Sequence, residues 1–131
     1  MGVVGAAVLL LSGQFYARAQ RSTEIFIPLG RSPGLSGKVT VIGKIAKVSG
    51  QDQTITIAGT AGTWNVGVTD HTWIWLDRSK LGLLNKKGTF TDLREGLTTE
   101  VKYVGSERKG PAEWIKVQLA ESGAEATETP K

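Results

Sequence analysis

Cysteine is missing from all 131 residues, and histidine occurs once, as His71. The first absence excludes disulfides, thiolate nucleophiles, Cys-ligated zinc and iron–sulfur clusters. It also excludes a lipid attached to a cysteine behind a bacterial export signal. The second absence excludes a His–His relay and any His-based metal cluster. The chain has no phosphate-cradling Gly-Lys loop, no dinucleotide fingerprint and no Gly-x-Ser-x-Gly nucleophile elbow. Its carboxylates are scattered singly. His71 has Asp70 and Asp77 as acid/base partners within reach in sequence, but the stretch Thr69-Asp-His-Thr72 reads as a turn. Ser79 sits in a loop context, not in a catalytic one. The chain is therefore expected not to be an enzyme, with no catalytic residue, metal ligand or cofactor site.

A long hydrophobic run is also lacking. The longest, Gly2–Gly13, holds about 12 residues and reaches about 18 Å as a helix, short of the ~30 Å bilayer core. That length suits the apolar part of a signal peptide, and Ala17-Arg18-Ala19 has the small-x-small form of a cleavage site. No Lys or Arg precedes the run, which departs from the usual signal pattern. Extended through Phe15 and Tyr16, the same segment gains an aromatic interfacial belt, with Arg18 and Arg21 at headgroup level, and reads as an uncleaved anchor. Myristoylation fails because residue 6 is Ala where Ser or Thr is expected. Residues 1–19 are thus expected to be a signal peptide or membrane anchor. The bacterial periplasm or the extracytoplasmic face of the membrane is the expected location.

Charge of one sign is not concentrated anywhere. The formal net charge is +4 and the isoelectric point about 9.5. Residues 38–119 hold twelve Lys or Arg against eight Asp or Glu. Mixed charge of this kind serves solubility and favours anionic partners only weakly.

What is present is a succession of short β-type segments. Residues 20–37, with Pro28, Gly30, Pro33, Gly34 and Gly37, have too many breakers for a helix or a central strand and read as a linker. Within them Ile25–Leu29 forms an apolar knot that a free linker does not need; it packs on the folded part or docks on a partner. From Lys38 onward the texture changes. Val39–Val48 is β-branched, with Gly43 marking a bend or bulge. Thr54–Ile57 alternates, Thr63–Thr69 sets Trp64, Val66 and Val68 on one face, and Thr72–Leu76 does the same for Ile74 and Leu76. Arg78–Thr91 reads as a long polar connection interrupted by Leu81, Leu83 and Leu84, and Thr98–Val104 and Ala112–Leu119 close the domain. Strands at this spacing predict an all-β fold: a small five- to six-stranded antiparallel OB-like barrel over 38–119, behind a hydrophobic N-terminal segment. Residues 120–131 form a polar, Pro-containing tail expected to be disordered.

Within this pattern, Gly43–Val48, Thr54–Ile57, Val68–Ile74, Thr91–Gly96 and Ala112–Val117 resemble exported bacterial OB-like small β-barrel domains of unknown function. The most telling piece is Asp92-Leu-Arg-Glu-Gly96, which has the look of a short helical turn feeding the fourth barrel strand. The resemblance implies fold and compartment and brings no mechanism with it. The three leucines at 81–84 and the four Trp depart from the family pattern.

Function is therefore sought in surfaces. Alternation places Trp73 and Trp75 opposite Ile74 and Leu76, and Trp114 opposite Ile115 and Val117, so these three rings point away from the core. Trp64 aligns with the core set. Outward Trp is costly in water and enriched in interaction hot spots; the competing reading is that the apolar knot or the leucine insert covers the rings. With Phe26 and Ile27 they make up the expected partner-binding set. The chain is accordingly expected to be an accessory or scaffolding subunit docking on protein subunits of a membrane or envelope complex. The alternative is a single-stranded nucleic-acid or other anionic-ligand binder using Arg78, Lys80, Lys86, Lys87, Arg108 and Lys109, with Trp rings for base stacking. Asp52 in the first hairpin turn and the exported location speak against nucleic acid.

Overall fold

The computed structural model describes residues 23–120. The expected signal peptide or anchor at 1–19, and all of the expected tail except Ala120, lie outside the described residues.

The described elements are seven strands and two single turns of 3-10 helix. β1 (Thr40–Ser49), β2 (Thr54–Gly59) and β3 (Gly62–Gly67) form a meander. β4 (Trp73–Asp77) follows, then β5 (Lys86–Lys87), β6 (Thr98–Tyr103) and β7 (Ala112–Gln118). Hydrogen bonding joins them into one sheet in the order β3-β2-β1-β6-β7-β4-β5. The all-β expectation holds, while three details of it are corrected. There are seven strands instead of five or six, because the two-residue β5 is too short for any periodicity to announce it. The sheet is mixed, because β4 runs parallel to β7. It is also not a closed barrel by strand pairing, since β3 and β5 stand at its two ends.

The parallel pair has a local origin. Thr69 and Thr72 close a tight turn: the Thr72 hydroxyl accepts from the Thr69 N–H at 3.0 Å, and the Thr72 N–H donates to the Thr69 carbonyl at 3.1 Å. This turn breaks the chain between β3 and β4, so that β3 stays beside β2 while β4 continues beside β7. A parallel bridge between Gly67 and Pro111 ties the end of β3 to the start of β7.

Gly43 is not the bulge. The irregularity in β1 falls between Ile45 and Lys47. At Gly43 a Cβ would lie 2.4 Å from the Ala58 carbonyl oxygen, so glycine is required by close backbone approach. The Asp92–Gly96 piece likewise shifts: the helical turn is Phe90–Asp92, capped by the Asp92 carboxylate accepting from the Thr89 N–H at 2.8 Å.

One face of the sheet carries the core. Val41, Ile45, Ile55, Ile57, Val66, Ile74, Leu76, Val101, Ile115 and Val117 cluster there, with Trp64 and Leu119 packed against them as the alternation predicts. Tyr103 shares this side, and its hydroxyl donates to the Asn65 carbonyl at 2.9 Å, linking β6 to β3. At the far end of the sheet, β5 exposes two lysines, which discourage edge-to-edge pairing.

Ile57 and Val117 are fully buried. Replacing Ile57 by Ala is expected to cost about 2–4 kcal/mol through lost burial and a residual cavity. Urea denaturation checks this; a loss below about 1 kcal/mol would mean that the site is not packed.

Candidate functional site

The opposite face of the same strands carries the residues of interest. Alternation puts Trp73, Trp75 and Asp77 there from β4, Trp114 and Lys116 from β7, and Glu100 and Lys102 from β6. Register sets Trp73 beside Trp114, Trp75 beside Lys116, and Glu100 beside Lys116. The indoles form a stacked run, with centroids 6.5 Å apart for Trp73–Trp75 and 5.6 Å for Trp75–Trp114. An ammonium lies near each end: Lys87 Nζ is 5.1 Å from the Trp73 ring and Lys116 Nζ 5.0 Å from the Trp114 ring.

The expectation of a three-ring surface patch is corrected for Trp75 and Trp114, where the competing reading, cover by the chain's own N-terminal segment, holds. Trp75 and Trp114 are 3% and 2% exposed, and only Trp73, at 41%, reaches solvent. The cover is the chain itself. The stretch expected to be a linker, described from residue 23 onward, lies as a strap across β4, β7, β6 and β1, held by hydrogen bonds to side chains of this face. The Leu29 N–H donates to Asp77 Oδ2 and the Gly30 N–H to Glu100 Oε1, both at 2.8 Å. Glu100 Oε2 accepts from the hydroxyls of Ser36 and Thr40 at 2.6 and 2.8 Å. Gly30, at φ +83°, adopts the left-handed turn that presents its N–H to Glu100.

Beneath the strap sits a buried ion pair. Lys116 Nζ donates to Glu24 Oε2 at 2.9 Å and to the Ile27 carbonyl at 2.8 Å, with Ser32 Oγ at 3.4 Å. The Ser32 hydroxyl donates to the same Glu24 oxygen. All three hydrogens of the ammonium thus have an acceptor, which such burial demands. Asp77 is the second anchor. Burial pushes its carboxyl up, but hydrogen bonds from the Ser79 hydroxyl and from the N–H groups of Leu29 and Ser79, with Lys116 nearby, outweigh it. The net effect holds Asp77 below the usual carboxylate range. Burial raises the Tyr103 phenol above its ordinary value.

Sequence reasoning missed Glu24, Ser32, Asp77, Glu100 and Lys116 as a group. Charged residues at outward strand positions read as solvent-facing, and the only available signal was the apolar knot Ile25–Leu29. Of that knot, Ile27 is partly buried beside the Lys116 anchor, whereas Phe26 points out, 56% exposed.

The cations of the anionic-ligand alternative do not form one surface. Arg78, Lys80 and Lys86 follow or flank the C-terminal end of β4, at the Asp77–Gln118 end of the sheet. Arg108 and Lys109 precede β7, at the Trp73–Trp114 end. Arg108 donates to the Lys38 carbonyl at 2.9 Å, and Lys109 pairs with Glu107 at 3.2 Å. The outward side of β2 and β3 shows Thr54, Thr56, Ala58, Thr63 and Asn65, with no aromatic ring on which a base would stack. His71 lies in the Thr69–Thr72 turn, its side chain almost wholly exposed and 3.8 Å from Asp70. Among the described residues no group of three His, Cys, Asp or Glu side chains is placed to hold a metal ion. No family model, curated protein or solved structure matches the chain.

Two outcomes follow from the strap's chemistry. Lys116→Met strands the Glu24 carboxylate and is expected to cost about 3–5 kcal/mol, most of it recovered in the Glu24→Gln/Lys116→Met double variant. Chemical denaturation of the three proteins measures this, and a single-variant cost no larger than that of an exposed pair would show the site to be hydrated. Because the folded Asp77 titrates below its unfolded value of 3.8, its contribution to stability is complete above about pH 4 and is lost as pH falls through the lowered folded value. Stability measured across that acidic range should fall less steeply in Asp77→Asn; an unchanged slope would assign the acid sensitivity elsewhere.

Proposed function

We propose that the chain is a non-enzymatic accessory or scaffolding subunit, held at the extracytoplasmic face of a bacterial membrane and meeting protein subunits of an envelope complex through the surface around Trp73. The observation that carries this reading is the stack of indoles. Trp73 is exposed, yet it rests on Trp75, which rests on Trp114 in the interior. A ring supported from behind has little freedom left to lose on binding, which is the property of a hot-spot residue. Burying its remaining exposed area, on the order of 100 Å², contributes about 2 kcal/mol gross. That contribution suits the centre of a larger contact, and the neighbouring recess lined by His71, Thr72, Ile74, Lys87 and Gly88 offers room for one.

An OB-like plan belongs to the same reading, as does kinship with exported OB-like domains. Antiparallel β1–β2, β1–β6 and β6–β7 pairs and the parallel β4–β7 pair support it, with β3 and β4 as two halves of one broken strand in a partly open barrel. The anionic-ligand alternative has less support, since its cations divide between opposite ends of the sheet.

Site-specific photo-cross-linking in native membranes tests the proposal. A cross-linker at position 73 should capture envelope protein subunits, and one at Thr56, on the outward side of β2, should not. Equal capture from both positions, or assembly unaffected by Trp73→Ser, would sink it. Retention on single-stranded DNA that Trp73→Ser abolishes would promote the alternative.

A further inference from the structure

The end of the sheet remote from the Trp73 turn carries a second exposed apolar group. Leu83 and Leu84, in the connection between β4 and β5, are 51% and 75% exposed, and Phe26 of the strap is 56% exposed. Asn85 clasps the two segments together. Its Nδ2 donates to the Ile25 carbonyl at 3.0 Å, and its Oδ1 accepts from the Arg78 N–H at 2.6 Å. Leu84 and Phe26 each adjoin a residue of that clasp. The Arg78 guanidinium is held at the leucine loop by its Nε donating to the Leu84 carbonyl at 2.6 Å. Between Asp77 and Asp92 the chain holds Arg78, Lys80, Lys86 and Lys87 and no carboxylate. Exposed Leu and Phe set among cations form the combination that inserts into a lipid interface while pairing with anionic headgroups.

Geometry selects the occupant. The expected anchor ends at Ala19, and the strap begins at Thr23. Four residue steps span at most about 14 Å. With residues 1–19 in a bilayer, the start of the strap, the Ile25–Asn85 clasp and the leucine loop are all confined close to its surface. We propose that Phe26, Leu83 and Leu84, flanked by Arg78, Lys80 and Lys86, dock the folded domain onto an anionic lipid bilayer. This rests on the anchored reading above for its geometry, and on the exposed side chains for its chemistry.

The absence of cysteine makes the test clean, because Leu84→Cys provides a single labelling site for an apolar, environment-sensitive fluorophore. The full chain, labelled there or at Ala58→Cys on the outward side of β2, is mixed with phosphatidylcholine vesicles with and without phosphatidylglycerol, each containing brominated lipid as a contact quencher. The label at position 84 should be quenched in the anionic vesicles and the label at position 58 should not. Lys80→Gln/Lys86→Gln should lower the ratio of docked to undocked chain by about twenty-five-fold, since each basic side chain near an anionic surface is worth roughly fivefold.

The outcomes separate the two readings. Chain that floats with vesicles while position 84 stays unquenched overturns the docking and leaves the anchor standing. Flotation and quenching confined to anionic vesicles support the docking and remove the anchor. A concentration-dependent blue shift at position 84 without vesicles would place a second copy of the chain on the patch and overturn the proposal.

Discussion

The strap across the outer face is held by charge that has nowhere else to go. Lys116 lies in the middle of β7 with its side chain fully buried, and among the described residues Glu24, Ser32 and the Ile27 carbonyl accept its hydrogens. A buried pair of this kind gains little over a hydrophobic replacement, yet breaking it is costly, so its effect is to select one arrangement of the strap over others. Glu100 and Asp77 repeat the constraint one strand away on either side, each accepting from a strap N–H. Together these groups set where the strap crosses the sheet, and that crossing in turn decides which aromatic rings are interior.

Burial on both faces of β7 follows. Ile115 and Val117 face the core, while Trp114 and Lys116 face the strap. A sheet coated on one side only would leave Trp75 and Trp114 in water, where two such rings are costly. Coating them leaves Trp73 as the accessible end of a stack rooted in the interior. The same strap, by running back to the β4–β5 connection, carries Phe26 toward Leu83 and Leu84. The two proposed surfaces therefore lie at opposite ends of β4, about 13 Å apart along the strand. With the leucine loop toward a bilayer, Trp73 faces away from it, the orientation that a tethered subunit needs to meet a partner.

The sequence was informative wherever the controlling physics is local. Six of the seven strands stand close to where alternation and turn residues place them, and the face assigned to every Trp is the face observed. Ile57, Val66, Ile74, Leu76, Ile115 and Val117 were legible as core because a period of two is a property of the strand itself. The lysine pair of β5 was not legible, since two residues carry no period. Nor was the turn at Thr69–Thr72 legible as the place where the chain changes partner, because a turn reveals a break in direction without revealing the next neighbour.

Alternation sorts side chains onto two faces and cannot say whether the second face meets water or protein. That depends on a segment far away in sequence, 92 residues in the case of Glu24 and Lys116. A stretch rich in Pro and Gly reads as a linker by its breakers, and those same breakers supply the left-handed turns at Gly30, Gly34 and Gly37 with which it folds over the sheet. The sequence by itself thus determined six of the seven described strands, their inner faces, and the exclusion of thiol and multi-histidine chemistry. Only the tertiary structure decided that Trp75 and Trp114 are interior, that β4 runs beside β7, and that the cations separate to opposite ends, because each of these depends on contacts between distant segments.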